Sequence, residues 1–179
     1  CLLSRGLGDV YKRQEEYQWA GPYLYSRQVV AVRSDSDIRT LQDLTGKVVV
    51  VQSTTKPEEL FLNAEQNGLP RLRRLYSLQN RDLLYTTLLK GYADALAAHE
   101  SAIRQFMKDY SVEYRILDEP LMTARLGVAF AKERGDDLPQ QLTEVFQEML
   151  ADGTVRQIVS RYLDDPGHYL DGLEDSTHA

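Results

Sequence analysis

The stretch Lys47-Val48-Val49-Val50-Val51-Gln52-Ser53-Thr54-Thr55-Lys56-Pro57-Glu58-Glu59 decides how this chain folds. Its four consecutive valines, with no polar residue alternating among them, have the pattern of a strand buried on both faces, as parallel strands between helices are. The apolar run stops at Gln52-Ser53-Thr54-Thr55. A helix start follows, with Thr54 or Thr55 as cap, Pro57 in the first turn and Glu58 and Glu59 at the positive end of the helix dipole. A buried strand that runs directly into a helix is half of a strand–helix–strand unit.

The same alternation continues on both sides. Upstream, Val29–Val32 reads as a strand and Ile38–Leu44 as a short helix ended by Gly46. Downstream come a strand at Leu72–Ser77 and a helix at Asp82–Lys90, with Leu83, Leu84, Thr87 and Leu88 on one face and Gly91 as its stop. A strand at Ala93–Ala98, a helix at Glu100–Lys108 and a strand at Val112–Leu117 complete the series. Beyond Pro120, Leu126–Phe130 is a further strand. Leu138–Leu150 is an amphipathic helix carrying Leu138, Leu142, Val145, Phe146 and Met149, and Thr154–Leu163 is a shorter helix. From Asp164 on the chain is polar, acidic and aperiodic, and residues 164–179 read as a tail. The fold class is therefore α/β with a mostly parallel, doubly wound sheet, in which ligands bind just outside the carboxyl ends of the strands.

Composition narrows the function. The chain has 179 residues, with 21 basic and 27 acidic side chains and a net charge of −6. It has no basic stripe interleaved with aromatics, which argues against a nucleic-acid partner. Arg71, Arg73 and Arg74 read as a solvated face. A single cysteine, Cys1, can build neither a disulfide framework nor a zinc site. No apolar run approaches the roughly 18 residues of a membrane span. His99, His168 and His178 are dispersed, and neither a G-x-S-x-G, an H-E-x-x-H nor a P-loop is present, so the reading is of a non-enzyme without cofactor or metal. Residues 1–14 interrupt every period with Gly6 and Gly8. They resemble translated linker sequence from assembled metagenomic reads and are expected to lie outside the fold.

Several residues carry binding chemistry. Ser53, Thr54 and Thr55 stand where free N–H groups, the positive helix end and hydroxyl donors would meet an anion; a threonine that merely caps the helix satisfies the same pattern. His99 and Glu100 follow the strand at Ala93–Ala98; by itself a lone histidine at a strand end is more often a structural or surface residue. Tyr23 and Tyr25 precede the first strand and suit either stacking on a ligand or packing. Asp94, between Gly91 and a buried strand, is expected to order the turn.

Taken in order, these pieces resemble the family 3 extracellular solute-binding proteins, the polar amino acid receptors of ABC transporters. The matching segments are Gly21-Pro22-Tyr23, Val29–Val32 with Ser36-Asp37-Ile38, Leu41–Lys47, Val51–Thr55, Leu88–Ala95, Leu126–Lys132 and Asp152-Gly153-Thr154. The resemblance implies a bilobal, periplasmic-binding-protein-like fold. Residues 15–32 would be a remnant of lobe 1 with the first hinge strand, 33–125 lobe 2, and 126–163 the second hinge strand and closing helices of lobe 1. Lobe 1 would be incomplete: its opening elements, the arginine that holds the ligand carboxylate and any export signal would precede Glu15. Thr54 and Thr55 would take the carboxylate of the ligand, with Ser53 in place of the glycine many relatives carry. His99 stands where relatives have the aspartate that pairs with the ligand ammonium, and Glu100 beside it is the alternative source of charge. The implied function is binding of a small polar solute, an amino acid or related compound, for delivery to an ABC permease, in the periplasm or outside the cell. The same module also serves as a sensing domain of signalling proteins.

Overall fold

Strand β2 (Val48–Gln52) lies inside the sheet, with β3 (Arg74–Leu78) on one side and β4 (Ala95–His99) on the other, both parallel to it. This is a computed structural model, and it describes residues 17–173. The long strand β1 (Tyr17–Arg33) pairs antiparallel with β4 on one edge and with β5 (Tyr114–Ile116) on the other, giving the order β3-β2-β4-β1-β5, and β6 (Met122–Ala131) also pairs with β1. β2, β3, β4 and β5 thus run one way and β1 runs against them.

The valine run behaves as its pattern requires. Val48 and Val50 enter a core with Val29, Leu84, Leu88, Leu96 and Ile103 beneath α2 (Arg81–Leu89) and α3 (Glu100–Tyr110). Val49 and Val51 enter a second core on the opposite face, with Val30, Val32, Leu44 and Phe61 beneath α1 (Lys56–Leu62). None of the four is more than 6% exposed. Burying each side chain stabilises the sheet by roughly 1.5–3 kcal/mol.

Contacts along the chain separate two compact units. One is Arg27–Thr123; the other joins the chain up to Ser26 with the chain from Ala124 onward. In the second unit, α4 (Leu138–Ala151), α5 (Thr154–Val159) and α6 (Gly167–Leu170) gather Leu150, Val155, Leu170 and Leu173 into a small core. Within it, β1 and β6 approach closely at Gly21, whose φ is +111°, and Gly127: a Cβ on Gly127 would lie 2.7 Å from the Ala20 carbonyl oxygen. The apolar face of α4 is only partly covered, with Leu138 39% and Val145 46% exposed.

Four local expectations are corrected. Residues 38–44 form a single 3₁₀ turn (Gln42–Leu44) because the Asp43 carboxylate accepts the N–H groups of Arg39 and Thr40 at 2.9 and 2.8 Å, drawing them out of a helical ladder. The buried stripe of α2 is Leu84, Tyr85 and Leu88, while Leu83 is 54% exposed. The helix from Thr154 ends at Val159, where the Ser160 hydroxyl donates to the Arg156 carbonyl and tighter turns follow. Residues 164–173, read as part of an acidic tail, contain α6, and Tyr169, Leu170 and Leu173 are buried there. Their apolar side chains are too few and too close together to show a period. The expectation for residues 1–14 concerns residues outside those described.

Candidate functional site

The parallel strands β2 and β4 end at the same edge of the sheet, which brings Gln52 and Thr55 beside Ala97, Ala98 and His99. β1 runs the other way, and its register sets Gln28 directly opposite His99. α2 begins at Arg81 and presents Leu84 and Tyr85 to the same place. Together these residues line a hollow of about 30 Å³ within the Arg27–Thr123 unit. A buried water needs roughly 10–15 Å³ measured this way, so the hollow admits a group of about two water-sized atoms.

His99 ends β4 and is the N-cap of α3. The Gln28 side-chain nitrogen lies 2.9 Å from its Nε2 and 3.1 Å from its Nδ1, and donates to whichever ring nitrogen carries no proton. Burial, and then the nearby Arg81 guanidinium, hold the imidazole below its usual range, so the ring is neutral near pH 7. Gln28 is 5% exposed, and its carbonyl oxygen is buried without a partner. The hydroxyl of Tyr85, 2% exposed, is likewise buried without a partner. Burial raises the Tyr85 pKa, so this phenol keeps its proton and remains a donor. Arg81 is exposed at the first position of α2 and makes no ion pair among the described residues.

Of the expected anion-binding trio, Thr55 lines the hollow and caps α1, but its hydroxyl donates back to the Gln52 carbonyl. Thr54 is exposed in the left-handed region (φ 59°), and its N–H donates to the Glu58 carboxylate at 2.6 Å. Glu58, at the third helical position, reaches back over the helix start as in a capping box, and Pro57 has no N–H. Ser53 donates its N–H to the Leu78 carbonyl, while its hydroxyl is buried without a partner. Of the N–H groups expected there, those of Ser53 and Thr54 are used within the chain and Pro57 has none.

Glu100 turns away from the role of spare charge. It is 1% exposed, accepts from Arg104 at 2.8 and 2.6 Å and pairs with Arg27 at 3.1 Å. Asp94, expected to order its own turn, instead accepts the Val48 N–H at 2.7 Å and ties the chain before β4 to the start of β2. Tyr23 belongs to the other unit and packs on Phe146 with ring centroids 5.1 Å apart. Tyr25 packs against the core of Leu150 and Leu170. Gln28, Arg81 and Tyr85 carry no local sequence signal for a site; only the topology assembles them beside His99.

The sequence profile of the bacterial extracellular solute-binding proteins, family 3, matches residues 3–165. The chain is 33% identical over 171 residues to the histidine-binding periplasmic protein of Escherichia coli (strain K12), covering 90% of this chain and 64% of that protein. It is 25% identical over 161 residues to the glutamate-binding protein GluB of Corynebacterium glutamicum (strain ATCC 13032), covering 84% of this chain and 52% of the relative. Among solved structures, the probable amino-acid ABC transporter extracellular-binding protein ytmK from Bacillus subtilis shares the fold at a TM-score of 0.73. It is 23% identical and covers 87% of this chain and 67% of the other. The chain therefore spans just under two thirds of the length of the histidine-binding relative.

Proposed function

The chain belongs to family 3 of the bacterial extracellular solute-binding proteins, and from that premise we propose that it binds a small polar solute, an amino acid or related compound, for delivery to an ABC permease without chemical conversion. The observation that carries the reading is the hollow at the shared carboxyl edge of β2 and β4. It collects Thr55, Gln28, Arg81 and His99 beside Leu84 and Tyr85 at the ends of the two strands. The names of the relatives, histidine-binding and glutamate-binding, support the solute class, and the periplasmic relative supports a location outside the cytoplasm. Among the described residues no helix is long and apolar enough to cross a membrane. In this reading Arg27–Thr123 is lobe 2, the unit with α4 to α6 belongs to lobe 1, and Ser53, Thr55 and His99 face the solute while Thr54 shapes the turn. Glu100 holds α3 in place, and Tyr23 packs within lobe 1.

The test is a two-dimensional amide NMR titration of this chain with a panel of amino acids and their derivatives. Resonances of Thr55, Ala98 and His99 should move with saturable dependence on at least one member. A panel that moves none of them overturns the reading.

A further inference from the structure

Gln28 and His99 face each other in the antiparallel register of β1 and β4. Gln28 is 5% exposed, and its amide nitrogen lies 2.9 Å from His99 Nε2 and 3.1 Å from Nδ1. The other amide atom, the acceptor Oε1, is buried without a partner among the described residues. This contact suits one protonation state only. A neutral imidazole has an acceptor nitrogen, whereas an imidazolium has two N–H groups and no acceptor, so a proton on His99 would set donor against donor. Turning the amide by about 180° about its last torsion, which is broad and roughly two-fold, exchanges two atoms of similar size. The turn gives up no side-chain hydrogen bond except the one to His99, and it brings Oε1 to the imidazolium in a charge-assisted bond.

We propose that the proton on His99 sets the orientation of the Gln28 amide, and so decides whether Gln28 leaves an acceptor or a donor to the hollow it lines. Gln28 is then a specificity-determining residue whose hydrogen-bonding polarity follows pH. The meaning of this for solute recognition rests on the reading that the hollow is the binding site; the pair itself is tested without solute. The groups around the ring bias its titration but cannot replace its partner. α2 brings the Arg81 guanidinium, which opposes protonation, with Asp82 beside it and the Tyr85 phenol. α3 begins with Glu100, held between Arg27 of β1 and Arg104. The β2–α1 junction brings Gln52, Thr55 and Pro57, none of them titratable, and Glu58 there holds the Thr54 N–H. Burial and Arg81 place the proton uptake on the acid side of the usual imidazole value of about 6.5.

The test is an NMR acid titration of this chain that follows the His99 ring and the Gln28 side-chain NH₂. Above the His99 midpoint the NH₂ protons should show nuclear Overhauser contacts to the ring. Below it these contacts should fade, with the midpoint of the ring itself. Contacts that persist below the midpoint overturn the proposal, and this readout needs no variant. Gln28→Leu adds a test of sign. If the amide turns, leucine takes a charge-assisted acceptor from the imidazolium and only a neutral bond from the imidazole, so proton binding at His99 should weaken by about tenfold. If the amide is fixed, leucine removes an opposing donor and proton binding strengthens; that result, or no change, overturns the proposal. Gln28→Glu always offers an oxygen and should strengthen proton binding by about tenfold or more; a weaker or unchanged midpoint overturns the placement of Gln28 against the ring. Failure here leaves the site reading intact, and failure of the amino acid panel leaves the Gln28–His99 pair intact.

Discussion

Replacing Glu100 by glutamine removes one charge and almost no volume, which makes it a sharp probe of how α3 is anchored. The Glu100 side chain is 2% exposed and bridges Arg27, 14% exposed, and Arg104, 34% exposed. Two effects compete. Arg104 is open enough that its half of the arrangement resembles a surface pair, worth about 0–1 kcal/mol. Arg27 is not: without the carboxylate its guanidinium stays largely buried and unpaired, a loss of roughly 3–5 kcal/mol. The second effect dominates. In the Arg27–Thr123 unit, where each kcal/mol moves the melting temperature by about 4–8 °C, Glu100→Gln should lower Tm by at least about 12 °C. Circular dichroism of the melting sheet reads this directly. Arg104→Ala should lower it by only a few degrees. Arg27→Met added to Glu100→Gln should recover much of the loss, because an apolar stem no longer needs a counter-charge. A Glu100→Gln change no larger than that of Arg104→Ala would show that Arg27 reaches solvent and that the buried-pair argument is wrong.

The remaining predictions are smaller in scope. The folded His99 has a pKa below the ordinary imidazole value of about 6.5, so below that pH the unfolded chain binds a proton the folded chain does not. Stability should therefore fall as the pH drops from about 6.5 toward the folded pKa, and His99→Gln should flatten that part of a urea-midpoint profile; an equal slope in the variant refutes the assignment. Leu170, fully buried against Leu150, Val155 and Leu173, should cost about 2–5 kcal/mol when changed to alanine, read in denaturant from the single tryptophan, Trp19, which lies in the same unit. Gly127→Ala would drive a methyl group to 2.7 Å from the Ala20 carbonyl oxygen. It should destabilise that unit by about 1–3 kcal/mol on the same probe, with no change expected if β1 and β6 can separate freely.

How much of this was legible in the sequence depended on how locally each feature is encoded. The buried strand at Val48–Gln52 and the stop at Gly91 follow from neighbours within a few residues and stand as read, and of the two threonines read as cap, Thr55 takes the position. The failures are those where local preference met competition. Residues 38–44 have a helix-like composition, but one aspartate satisfies two N–H groups that a helix would need. In the segment after Asp164, acidic residues are as many as the apolar ones, and three buried side chains suffice to fold it onto α4 and α5.

The site shows the same division more sharply. Thr55 was identifiable because a strand-to-helix junction is itself a sequence signal, and His99 through the family resemblance; the sheet places both at one edge. Gln28 lies 71 residues from His99 and reads as the polar start of a strand; only the antiparallel register of β1 sets it against the imidazole. Arg81 looks like any charged residue at a helix start, where a cation is in fact unfavourable beside the positive end of the dipole. Asp82 follows it in the same first turn of α2, and Arg81 makes no ion pair among the described residues. Arg81 joins the hollow only through the fold, which sets the first turn of α2 beside His99 and Gln28.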